Sequence, residues 1–212
     1  MKIIVESGWE SVVKWERFEA YSALIRTDGG GYEVTYLWGH FHTITAHKFR
    51  VMKNCFRVGL YKQGLLHDLS KYSPEEFIPG VIYYQGTRSP NAAEREEKGF
   101  SKAWLHHKGR NKHHYEYWID FTTDMSEGLR GHKMPLKYVI EMMMDRIAAS
   151  KTYKGKDYTD ASPWEYYIHA KKYMVIAPET AKLLEELLLM LKENGEERTF
   201  AHMKALLKKG DY

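Results

Sequence analysis

"GLLHDLSKYSPEEF", Gly64 to Phe77, decides how the rest of the chain is read. A helix-ready apolar run ends in His67 and Asp68 side by side, with Lys71 one turn later. Imidazole and carboxylate both lower helix propensity, and both are expensive to bury without a partner. A metal ion would compensate them. Surface His-Asp dipeptides are common, however, so the missing ligands must come from elsewhere in the chain.

Composition narrows what such a site could be. The 212 residues are 43% hydrophobic and 28% charged, enough apolar surface for one packed domain. Cys55 is the only cysteine, which excludes an internal disulfide and a thiolate-built zinc site. A metal would have to be held by nitrogen and oxygen. The net charge of +4 is spread among acids and bases, giving no strong nucleic-acid signal while not repelling an anionic substrate. Apolar runs fall short of a membrane span, and the start is too short in apolar residues for a signal-peptide core, so a cytoplasmic protein with no membrane association is expected. Of the 11 histidines, most fall between His40 and His114.

"SALIRT", "DGGG" and "YEVTYLW" read as two β-prone runs around a turn, predicting an N-terminal β-hairpin appendage over 1–42. Helical patterns then cover 43–212. His47, Val51, Cys55 and Val58 recur at helical spacing on one face, with Phe49, Met52 and Phe56 forming an adjoining stripe. "SPEE" at Ser73 and "SPWE" at Ser162 read as capped helix starts, with Glu76 and Glu165 closing capping boxes. Phe100, Trp104 and His107 share a helical face, and a further helix is expected from about His113 through Trp118. A strong helix spans about Pro135 to Thr152. Two amphipathic helices, about Glu179–Glu193 and Thr199–Lys208, flank a stop at Gly195. "LLEELLLMLK" is either core packing or a homo-oligomer face. The fold class is mainly α, with a small N-terminal β element.

Borderline divalent cations take imidazole and carboxylate ligands, which several helices of one bundle can supply. His47 lies on an inward face. Asp145, in "MMMDRIAAS", sits in a methionine-rich helix with Ala148 and Ala149 beside it, leaving room at a carboxylate that needs a partner when buried. "AWLHHKGRNKHHYEYW" offers four more histidines. His107 shares its face with Phe100 and Trp104 and is preferred over His106; His114, one turn from Trp118, is preferred over His113. His106 and His113 are expected to face solvent or to support the ligands. Arg146 is read as pairing with Glu141 or another acid.

This ordered set of a histidine, a His-Asp pair and a distant aspartate resembles the HD-domain superfamily of metal-dependent phosphohydrolases. "HDLSK" is similar to the superfamily's HD-x-x-K extension, and "DRIAAS" resembles the segment around its last aspartate. The combination with "AWLHHKGRNKHHYEYW" is similar to a group of uncharacterised bacterial and phage HD-like proteins. The resemblance covers roughly Thr43 to Ser150. It implies an HD-like helical bundle with His47, His67, Asp68 and Asp145 as metal ligands, and Lys71 near a substrate phosphate. Binuclear members add histidines for a second metal, which would here be His107 and His114, although their spacing is closer than in those members.

The function so implied is hydrolysis of a small phosphomonoester or phosphodiester, nucleotide-like, by metal-activated water. Asp68 and Lys71 would be the catalytic pair, with one or two ions of manganese, iron, cobalt, nickel or zinc. Two alternatives share the scaffold: a di-iron oxygenase, as some HD-fold proteins are, and a non-catalytic, metal-stabilised helical module that binds a partner through the C-terminal helices.

Overall fold

The computed structural model describes residues 34–212, so the expected "SALIRT" strand lies outside the described residues. The described part of the second expected run, residues 34–38, is helical and not a strand. Val34 onward belongs to helix α1 (Val34–Val58), continuous through position 43. His40, Ile44, His47, Val51, Cys55 and Val58 are all buried along it, so one helical stripe extends further towards the N-terminus than the β-prone residues suggested. Burial of a long stripe outweighs a local preference of a few tenths of a kcal/mol per residue. Phe49 and Phe56, read as an adjoining apolar stripe, are instead exposed.

The β element is mid-chain. Strands β1 (Ile119–Phe121) and β2 (Leu129–Gly131) pair antiparallel, with Ile119 opposite Gly131 and Phe121 opposite Leu129. Each is three residues long, too short for an alternation to register in the sequence.

Eight helices are found among the described residues. After α1 come α2 (Tyr61–Leu66), α3 (Pro74–Ile82), α4 (Pro90–Lys98), α5 (Lys102–Arg110), α6 (Leu136–Lys154), α7 (Ser162–Lys171) and α8 (Pro178–Lys209). The core lies where α1, α6 and α8 meet: Val51, Cys55 and Val58 pack with Val139, Ile140, Met143, Met144 and Ile147, and with Leu184, Leu187, Leu188 and Leu191. The leucines of "LLEELLLMLK" that reach this core are therefore internal packing. The two expected C-terminal helices form on either side of Gly195, whose φ of 75° and ψ of 174° break α8 at a kink. Helix α6 is buried almost all round, as its methionines allow: flexible thioethers fill irregular gaps between two neighbours.

The other layer is built by α3, α4 and α5, packed against the first half of α1. Close approach depends on Gly80 of α3, where an added Cβ would overlap the His40 ring. Gly64 lets α2 lie against α1, since a Cβ there would stand 3.0 Å from Cys55 Cβ. No helix among the described residues is long and apolar enough to cross a membrane.

Candidate metal centre

Helix α2 ends at Leu66, and Lys48 Nζ donates to the Leu65 and His67 carbonyls at 2.8 Å, satisfying groups that the terminating helix leaves open. Asp68 then adopts φ 53°, the one positive φ at a non-glycine among the described residues. Aspartate tolerates this left-handed conformation better than most side chains, at a cost of order 1 kcal/mol. A 3-10 turn follows over Leu69–Tyr72. The reversal puts His67 and Asp68 inside the protein, 1% and 2% exposed, rather than on a helix surface.

Three other segments converge on them. From α1, His47 Nε2 comes to 3.9 Å from Asp68 Oδ2 and 2.9 Å from Asp145 Oδ1, without the alignment of a hydrogen bond. From α6, Asp145 Oδ1 lies 3.8 Å from His67 Nε2. From α5 and the turn after it, His107 Nε2 and His113 Nε2 each stand 3.4 Å from Asp68 Oδ1. His114 packs beside them, its ring centroid 4.7 Å from that of His107, edge-on, and 4.3 Å from that of His113, tilted.

The atoms form two groups that share Asp68: His47, His67, Asp68 and Asp145, and Asp68, His107, His113 and His114. Within each, one ligand atom per residue lies within 4.8 Å of all the others. Asp68 Oδ2 faces the first group and Oδ1 the second.

The fit to cations is tested by what these atoms lack. His47 Nε2, His67 Nε2, Asp68 Oδ1, His113 Nε2 and His114 Nε2 are buried and make no hydrogen bond. Asp68 Oδ2 makes none either and meets Lys71 Nζ as an ion pair at 2.7 Å. Leaving one buried polar atom unsatisfied costs about 1–3 kcal/mol, so this convergence would be expensive without an occupant. Nitrogen and carboxylate oxygen are the donor set of borderline divalent cations. The residues fit.

Electrostatics agree. Burial alone would raise the Asp68 pKa, but His67, Lys71, His107 and His113 hold it well below the usual carboxylate range. For Asp145 burial is likewise outweighed, by His47, His113 and His67. Burial pushes the His114 pKa far down, helped by charge on His113 and His107, so this imidazole is neutral and able to ligate.

The outward-facing nitrogens are tied to carboxylates. His67 Nδ1 and His113 Nδ1 lie 3.0 and 3.3 Å from Glu141 Oε1. His107 Nδ1 lies 2.7 Å from Glu76 Oε2, and His106 Nδ1 2.6 Å from Glu76 Oε1. Asn111 donates from Nδ2 to the His107 carbonyl and to Ser70 Oγ, both at 2.8 Å, fastening the end of α5 to the turn after Asp68. At the start of α5, Ser101 Oγ accepts from Trp104 N at 3.0 Å, which sets the helix one turn before His107.

All six residues expected as ligands from the sequence, His47, His67, Asp68, His107, His114 and Asp145, are thus brought together. His113 joins them: it is 2% exposed, not turned to solvent. The expected helix from His113 is a 3-10 turn over Tyr115–Trp118, and before it a turn closed by His114 N on the Asn111 carbonyl at 3.1 Å lets adjacent histidines both reach inward. His106 stands at the edge on Glu76, with 16% side-chain exposure. Glu76 closes no capping box, for Ser73 makes no side-chain cap bond. Glu141 pairs with imidazoles and not with Arg146, whose guanidinium lies over the Tyr167 ring at 5.7 Å. Glu141 is one turn before Asp145 on the same helix, but its partners His67 and His113 come from other segments. Glu76 had no signal in the sequence apart from its place nine residues after His67.

Comparison with known proteins found no curated protein and no solved structure that matches the chain. One protein family does match, over residues 37–190, a span that contains every residue of both clusters. The chain belongs to the family of unknown function DUF5662.

Proposed function

We propose that this protein is a metal-dependent phosphohydrolase of the HD-domain kind, acting on a small phosphomonoester or phosphodiester, with nucleotide-like compounds the first class to test. The observation that carries the reading is Asp68, whose two oxygens face two separate groups of nitrogen and oxygen donors. His47, His67 and Asp145 would hold one cation with Asp68; His107, His113 and His114 would hold a second. Manganese, iron, cobalt, nickel and zinc all suit these ligands. Such ions would supply Lewis acidity towards a phosphoryl oxygen and make water a competent nucleophile at neutral pH.

The chain's own residues supply the remainder. Asp145 and Lys71, with 17% and 28% side-chain exposure, mark the side from which substrate would enter. Asp68 and Asp145 raise the Lys71 pKa against the opposing pull of burial, so its ammonium stays charged. It would meet a phosphoryl oxygen as a point charge and offset charge developing in the transition state. His47, His67, His107 and His113 around it are buried, and in such surroundings that charge counts for more than in bulk water.

The test is hydrolysis of nitrophenyl phosphate mono- and diesters and of nucleoside phosphates, by protein loaded with each metal in turn. Phosphate or nitrophenol release that disappears with chelator and returns with one of these metals supports the reading. Oxygen consumption without phosphate release would favour a di-iron oxygenase, and neither activity in metal-loaded protein would favour a binding module.

A further inference from the structure

Glu141 stands between the two groups of donors. His67 is strung between Glu141 Oε1, 3.0 Å from its Nδ1, and Asp68 Oδ2, 3.4 Å from its Nε2. His113 is strung between the same Glu141 oxygen, at 3.3 Å, and the other Asp68 oxygen, at 3.4 Å. The two rings lie 4.4 Å apart, tilted by 37°. The result is a closed diamond of two carboxylates and two imidazoles, in which each imidazole belongs to a different cluster. Glu141 is 5% exposed, and among the described residues its side chain has no polar contact other than these two rings. Glu76 is arranged differently: of the ligand histidines it holds only His107.

We infer that Glu141 is a positioning residue common to both cation sites, whereas Glu76 serves the His107 site alone. The inference rests on reading the clusters as cation sites. An Nδ1–H donated to a carboxylate fixes the tautomer, leaves the Nε2 lone pair directed inward and raises its basicity; loss of such a partner typically weakens metal affinity 10- to 100-fold. Removing one carboxylate that serves both sites loosens one ligand of each. Removing Glu76 loosens a ligand of one.

The experiment is calorimetric titration of chelator-treated protein with cobalt(II), recorded alongside the visible spectrum of the bound ion. The native protein is expected to bind in two steps. Glu141→Ala should weaken both by about 10- to 100-fold and alter the spectrum of both ions, whereas Glu76→Ala should weaken one. Glu141→Gln, whose amide oxygen still accepts from the rings without a negative charge, should give a smaller loss in both, and it carries the test if the alanine variant does not fold. Weakening of a single step in the Glu141 variants, or of neither, overturns the inference while the cation sites stand. Failure of the native protein to bind cobalt overturns the reading beneath it as well.

Discussion

Lys71 Nζ lies 2.7 Å from Asp68 Oδ2, the oxygen that faces the His47–His67–Asp145 cluster. A single turn of 3-10 helix brings the two together: the Lys71 amide donates to the Asp68 carbonyl at 3.0 Å, and both side chains leave on the same side. The ammonium therefore touches a ligand of the proposed cation, closer than a role on substrate alone would need.

That contact makes a directional prediction. Lys71→Met keeps most of the apolar stem and frees Asp68 Oδ2 from a competing cation. Metal affinity should hold or tighten, while turnover falls about 100-fold, the usual loss on removing one transition-state contact. Cobalt titration and phosphatase assays on one preparation measure both. Weaker metal binding would show that Lys71 orients Asp68 instead.

Removing carboxylates should separate the two clusters. Asp68→Ala deletes the donor they share, so elemental analysis should find both ions lost. Asp145→Ala deletes a donor of the first cluster, so occupancy should fall there and persist at His107, His113 and His114. Equal loss in both variants would mean the sites do not fill separately.

Close packing of α3 on α1 should appear as a coupled pair. Gly80→Ala places a methyl group into the His40 ring, an overpacking expected to cost about 1–3 kcal/mol. His40→Ala opens the space, so the double variant should be more stable than the sum of the single losses implies. Urea melts of the four proteins give the coupling, and additive losses would show that α3 shifts to accommodate the methyl group.

His40 also predicts a pH dependence. Burial, with a smaller effect from Lys71, lowers its pKa from 6.5 to about 4. The folded state keeps the ring neutral where the unfolded chain is protonated, so the unfolded state binds more protons between those values. Stability should fall as the pH drops from 6.5 towards 4, with a contribution of order 3 kcal/mol from this group. His40→Asn removes it, so the stability difference between native and variant should move in the variant's favour across that window. A difference that stays flat would mean His40 is not held neutral.

Helical class and all the inner donors but His113 were legible along the chain. Spacing of 3.6 residues put His47 on the face of Val51 and Cys55, and the unpaired Asp145 in an apolar helix already demanded a compensating charge. These are local properties, legible because helix periodicity and the cost of burial act within one segment. The β element was misplaced because the β-prone residues at 34–38 are the first turns of a helix whose buried stripe starts at His40, while the actual strands are three residues each. His113 was set aside for His114, which lies one turn from Trp118 only if the segment is helical; the turn closed by His114 N on the Asn111 carbonyl brings both rings inward. Glu76 and Glu141 became parts of the centre only through tertiary structure. A carboxylate acquires that role from the imidazole that meets it across the fold, 31 residues away for Glu76 and His107 and 74 for His67 and Glu141, and no pattern within a single segment encodes such a distance.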